Sequence, residues 1–513
     1  MKTFENAANL FSSFLVLLFC GLVHGQSYKV VDTGQSQCFD NNIIIAAPDS
    51  GTAFFGQDAQ YSGFQPAYQD NGDGTITDLI TGLIWQKMLP DAKYDYGECV
   101  MFADTSTYAG YTDWRLPTIK ELYSLILFSG ITGMDEQSSV PYIDTNYFDF
   151  RFGGTVIPSE RFIDAQYATN TIYRGTTMGD NETMFGVNFV DGRIKGYPTS
   201  KDFEIRLIRG RTDYGINAFI ENSDSTISDF ATGLMWDQTG ISIGMDWETA
   251  LAWVTARNTE LYRGYSDWRL PNIKELHSIV DYDRSPSFTN SPAIAEVFFV
   301  PMISDEGGND NYPFYWASTT HFDGPAPDKA TYVCFGEALG FMQVPPNSGN
   351  YVLQDVHGAG AQRSDPKAGD PNDYPYGHGP QGDVIRIYNY VRVVRNLEVE
   401  IGTKDWFGND DQPQKFWLDQ NHPNPFNPTT TIKYELPQRS IVQITIYDLL
   451  GGKVTTLVSE KQSAGNKSVI WNATNNRGQL VSAGVYFYQI RVQDPNAIGA
   501  GDLVQTRKMI LIK

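Results

Sequence analysis

The chain has 513 residues, 41% hydrophobic and 13% aromatic. It is too apolar for a disordered chain and too long for one ordinary core, so about three domains are expected. The net charge of −22 is uneven: residues 416–513 carry +4, while residues 26–415 carry −26. A field of that sign excludes nucleic acid, anionic lipid and sulfated polysaccharide as partners, unless a local basic patch overrides it.

The N-terminus reads as a secretory leader over residues 1–25. Lys2 supplies the positive end and "FLVLLFCGLV" (Phe14–Val23) the apolar core. Val23 and Gly25 fit the small-residue cleavage positions. The apolar run is too short to span a bilayer, and no later segment is apolar enough, so no transmembrane segment is expected in the mature chain. Cys38, Cys99 and Cys334 remain after the leader. At most one disulfide forms within the chain, and Cys38–Cys99 is the pair to expect if one does. Otherwise each cysteine is a small buried hydrophobe.

Next comes a duplication. "DGTITDLITGLIWQ" (Asp73–Gln86) returns as "DSTISDFATGLMWD" (Asp224–Asp237), and "GYTDWRLPTIKEL" (Gly110–Leu122) as "GYSDWRLPNIKEL" (Gly264–Leu276). An offset of about 150 residues is a whole-domain repeat rather than a solenoid period. Thr118 with Glu121, and Asn272 with Glu275, have capping-box spacing and predict a helix start. Ile119, Leu122, Tyr123 and Ile126 then lie on one helical face, as do Ile273, Leu276, His277 and Val280. Trp114 and Trp268 are expected in the core, and Arg115 and Arg269 beside a carboxylate. The motif therefore reads as structural. Short strands follow in both copies, among them "MFGVNFVDGRIKGY" and "FEIRLIRG", then "YWASTTHF", "ATYVCFGEALGFM" and "DVIRIYNYVRVVRN". The pattern predicts α+β copies with helices segregated from an antiparallel sheet.

"TGLIWQ", "DWRLPTIKEL", "YWASTT" and "YNYVRVVRN" resemble the family named for the C-terminal domain of the Legionella collagen-like protein. The resemblance covers about residues 28–396. It implies two tandem C-type-lectin-like domains, 26–212 with an N-terminal lead-in and 213–396. It also implies adhesin-like recognition, since the founding member binds host glycosaminoglycans. Val393 stands where many members have cysteine, and the acidic charge argues against a sulfated ligand.

Residues 397–415 are polar and read as a linker. Beyond them, alternating runs such as "TIKYEL", "VQITIYDL" and "GVYFYQIRV" predict a small immunoglobulin-like β-sandwich over 416–513. "NPFNPTTTIKYELP", "ITIYDLLGGKVTTLV", "SAGVYFYQI" and "TRKMILIK" resemble the type A C-terminal sorting domain of type IX secretion. That resemblance implies the type IX machinery as a partner and delivery to the outer-membrane surface or medium.

No GxSxG, HExxH, P-loop or paired metal-ligand histidine is present. "DVHGAGAQRSDPKAGDPNDYPYGHGPQGD" (Asp355–Asp383) is a long Gly/Pro/Asp-rich stretch without counterpart in the first copy. It reads either as a binding loop or as a structural or disordered one. His357, Arg363 and His378 offer ligand contacts there. Asp365, Asp370, Asp373 and Asp383 offer oxygen ligands suited to calcium. Tyr315, Trp316 and Tyr332 are expected as stacking faces for a sugar. The expectation is a secreted, non-catalytic binding protein for an extracellular glycan or surface protein. The alternatives are an enzyme on a lectin-like fold or a structural envelope protein.

Overall fold

A computed structural model describes residues 28–397, 417–418, 421, 423–437, 439–449, 451–463, 465–493 and 503–512. The leader and the linker lie outside the described residues, apart from Leu397. Strand predominates. α-Helix among the described residues is confined to α1 (Tyr96–Thr105), α2 (Ile119–Tyr123), α3 (Trp247–Thr259), α4 (Ile273–Ser278) and α5 (Pro286–Thr289).

Each copy opens with a small antiparallel sheet. Tyr68–Asp70, Thr75–Asp78 and Ile84–Gln86 pair in sequence, and Ile208–Arg209 returns to close the edge. Phe219–Glu221, Thr226–Asp229 and Leu234–Asp237 repeat this, closed by Val394–Asn396. Alternation buries Ile76 and Trp85 in one copy, Ile227 and Trp236 in the other. The Thr-Gly turn needs φ near +74° at Gly82 and +72° at Gly233, which glycine adopts without strain. A buried arginine then ties each copy's end to its beginning. Arg206 donates to the carbonyls of Gln86, Lys87 and Asp149, and Arg392 to those of Asp237, Gln238 and Phe299.

The repeated motif closes on itself. Thr118 and Asn272 cap α2 and α4, with Glu121 and Glu275 reaching back to the cap N–H. The same glutamates take bidentate contacts from Arg115 (2.7 and 2.6 Å) and Arg269 (2.5 and 2.7 Å). Trp114 and Trp268 are buried, their indole N–H groups donating to the Tyr108 and Tyr262 carbonyls at 2.9 and 2.7 Å.

The two tandem copies share one compact unit. Phe314–His321, Lys329–Cys334 and Gln362–Pro366 from the second copy continue into Arg193–Pro198 and Asn181–Asn188 from the first. Gln166–Tyr167 and Ile172–Thr177 pair with the far side of Asn181–Asn188, completing a seven-stranded sheet. Over it, α2 and α4 meet with local two-fold symmetry. The Tyr123 and His277 rings lie 4.6 Å apart. Lys120 donates to the Ser278 carbonyl at 2.7 Å, and Lys274 to the Ser124 carbonyl at 2.9 Å. Each lysine thus satisfies a carbonyl that the other copy's short helix leaves open.

The lead-in, expected with the first copy, packs largely on the second. Asp58 accepts from Thr319 at 2.5 Å, Gln35 exchanges bonds with the Thr320 backbone, and Lys367 donates to the Asp40 carbonyl. The C-terminal unit is two antiparallel sheets. Trp417–Leu418, Thr430–Leu436 and Gly465–Trp471 form one; Ser440–Asp448, Lys453–Gln462, Gly484–Gln493 and Leu503–Leu511 form the other. Ile432, Tyr434, Ile444, Trp471, Tyr488 and Met509 fill its core, an immunoglobulin-like arrangement.

Candidate functional site

Tyr315, Trp316 and Tyr332 are only 0%, 0% and 2% exposed, so the expectation that they stack on a ligand is corrected. Their strands lie in the shared sheet and are covered on both faces. Trp316 donates to the Met245 carbonyl at 2.9 Å, and Tyr315 lies beside the Arg392 guanidinium.

The Asp355–Asp383 stretch is largely folded into the body. Gln362–Pro366 is a strand of the shared sheet, which carries Asp365 inside. There Asp365 accepts from the backbone N–H groups of Arg386 and Ile387 and from Asn389, and burial pushes it up to about 6. Asp383 accepts from Arg363 and lies 2.8 Å from His357 Nε2. Asp370 and Asp373 are in a short exposed turn, with Asp370 bonded to Asn372. The calcium expectation is therefore corrected: one carboxylate is inside the sheet, one is salt-bridged, and two are apart on a turn. Among the described residues no group of three or more His, Cys, Asp or Glu is placed to hold a metal. His378 is exposed, its ring 6.5 Å from that of Tyr374.

His357, Arg363 and Asp383 belong to a buried network between the copies. The first copy adds Asp191, Arg193 and Lys195, and the second adds Asp323. Three carboxylates meet three cations, and burial pushes His357 down, leaving it neutral. The cluster neutralises itself and joins the copies. The expected Cys38–Cys99 bridge is also corrected: both thiols are free and buried. Cys99 packs with Trp114 and Phe203, and burial pushes its thiol up to about 12.

The open site lies elsewhere, where the lead-in meets the repeated motif of the second copy. A groove of about 420 Å³ runs between Ser50, Phe55 and Tyr61 on one wall and Thr255, Thr259, Ser266 and Asp267 on the other. That volume is within the range of small-ligand sites. Its floor is rigid. The Asn258 amide donates to the Trp268 carbonyl at 2.7 Å and accepts from its N–H at 2.8 Å. The charges at its edge are paired: Asp267 with Arg395 at 2.7 Å, and Arg269 with Glu275 while it stacks 5.5 Å from the Tyr61 ring. What remains is a hydroxyl-lined, nearly neutral trough with two at least partly exposed aromatics, Phe55 and Tyr61. The first copy repeats the motif side, with Asp113 paired to Arg209 at 2.8 Å. The lead-in wall stands only at the second copy. Sequence reading missed Ser50, Phe55 and Tyr61, because nothing local says where a lead-in docks.

These features define a tandem-repeat, β-rich body with an open groove among its described residues, followed by a small sandwich. The family model of the Lcl C-terminal domain matches residues 74–209 and 225–357, more than half of the chain, and the chain belongs to that family. The FlgD Ig-like domain matches residues 425–497. Among solved structures, the chain is similar to FlgD from P. aeruginosa, with 24% identity, 16% of this chain and 61% of that one covered, and a TM-score of 0.14. It is also similar to dimeric latent PorU from Porphyromonas gingivalis, at 11% identity, with 65% and 26% covered and a TM-score of 0.18. A third is PorZ of the same organism, a surface component of its type IX secretion system, at 13% identity, 69% and 46% covered, and a TM-score of 0.14. The chain spans less than two thirds of the length of each. No curated protein matches it.

Proposed function

We propose that the chain is a secreted, surface-displayed and non-catalytic binding protein, adhesin-like, that recognises an uncharged glycan or a glycan-bearing surface. The observation that carries this reading is the groove between the lead-in and the second copy. Hydroxyl and amide groups with one aromatic wall suit sugar hydroxyls and the apolar face of a pyranose. The field of the −26 body disfavours sulfated polymers at the same place. The motif order supports a C-type-lectin-like ancestry for each copy. The leader and the C-terminal motifs support export by type IX secretion, with residues 416–513 as the sorting signal.

Export is tested by deleting residues 416–513 in a host that has the secretion system. The truncated chain should accumulate in the periplasm, and its appearance at the cell surface would overturn the sorting role. Binding is tested with the chain from Gln26 to Lys513 on an array of neutral and sulfated glycans. Retention of neutral glycans without hydrolysis supports the reading, whereas turnover of a glycan makes the protein an enzyme.

A further inference from the structure

The two lysines that cross between α2 and α4 are equivalent by repeat but not by surroundings. Lys274 donates to two backbone carbonyls, those of Asp32 and Ser124. Lys120 donates to the Gly215 and Ser278 carbonyls and, at 3.2 Å, to the side-chain carbonyl oxygen of Asn217. The amide nitrogen of Asn217 donates to Asp229 Oδ2 at 2.7 Å and to the Tyr28 hydroxyl at 3.2 Å. Chemistry pins that orientation. A lysine only donates and a carboxylate only accepts, so the flipped amide would set donor against donor and acceptor against acceptor. Asp229 is wholly buried and held by the Ala218 and Ala231 N–H groups and the Thr232 hydroxyl. Tyr28, Tyr123 and Tyr214 line the adjoining cavity, which is only about 20 Å³ and holds little water.

An amine against an amide carbonyl, with a buried, fixed carboxylate on the leaving nitrogen, is the arrangement needed for transamidation. We propose that Lys120 and Asn217 form an intramolecular isopeptide bond, with Asp229 as the group that moves protons. The Lys120 Nζ–Asn217 Cγ bond forms and the Asn217 Cγ–Nδ2 bond breaks. The lysine ammonium gives up two protons, and with them the departing amide nitrogen leaves as ammonium, so atoms and charge balance. Asp229 carries a proton from the attacking nitrogen to the leaving one. Burial pulls Lys120 down to about 8, so a neutral amine is accessible near neutral pH. The bond would fix α2 of the first copy to the segment that enters the second, a covalent clamp suited to a protein under load outside the cell. Lys274, without an amide neighbour, forms no such bond.

The test is peptide mapping by mass spectrometry of the purified full chain after denaturation. The expected result is a branched peptide joining the Lys120 and Asn217 segments, lighter than their sum by one ammonia, with trypsin unable to cut after Lys120. It should be absent from Lys120→Arg and Asn217→Ala. Asp229→Asn, checked for native circular dichroism, should give mostly linear peptides. Linear peptides with intact Lys120 and Asn217 from the native chain would overturn the proposal. A complete cross-link in the folded Asp229→Asn variant would overturn the role of the carboxylate.

Discussion

Asp58 shows how a single buried group couples the lead-in to the second copy. Its carboxyl accepts from Thr33 at 2.8 Å and from Thr319 at 2.5 Å, and burial pushes it from 3.8 up to about 7. The folded state therefore holds a proton that the unfolded state has lost between about pH 4 and 7. The stability associated with this group falls as pH rises through that window and stays low above it. Asp58→Asn removes the charge and keeps an acceptor. Its melting temperature relative to wild type should be higher at pH 8 than at pH 5, and thermal scans across that range check the sign. At this scale the sequence was legible where partners are near in the chain, as for Arg115 with Glu121. It was not legible for Tyr315 and Trp316. An aromatic run in a strand buried on both faces reads the same as one on an exposed sheet.

The elements that hold each copy closed are the paired arginine clamps. Arg392 is fully buried and satisfies the carbonyls of Asp237, Gln238 and Phe299. Arg392→Met keeps much of the volume but strands three acceptors. A loss of about 3 kcal/mol or more is expected, from about 1–3 kcal/mol per stranded group. Denaturant unfolding of the variant measures it, and a change below 1 kcal/mol would mean that water replaces the guanidinium. The capped helices of the repeat were readable because their signals span four residues. The shared sheet was not. Gln362 and Ile194 pair across about 170 residues, and a period of two says which face is apolar but not which strand lies alongside.

Across the whole molecule, the two copies and the lead-in form one unit and residues 400–513 another. The first has a core drawn from both copies, and the second its own. Calorimetry of the chain from Gln26 should therefore resolve one transition for residues 28–397 rather than one per copy. Separate transitions for the two copies would contradict the shared sheet. Sequence showed the duplication plainly, since whole motifs recur. It could not show fusion, because the contacts that fuse the copies are α2 on α4, a charge network and one strand pairing, each far apart in the chain.

The central claim is that the groove beside Trp268 is the binding site, and filling it is the most direct test. Ser266→Trp places a large ring in the trough from an exposed loop position without touching the buried Arg269–Glu275 pair. The measurement is glycan-array binding of this variant beside the wild-type chain, both confirmed folded by melting temperature. The account predicts that the wild type retains neutral glycans and few sulfated ones, and that Ser266→Trp loses that binding at least tenfold, a difference of about 1.4 kcal/mol. Equal binding by the filled variant, or selective retention of sulfated glycans by the wild type, would contradict it.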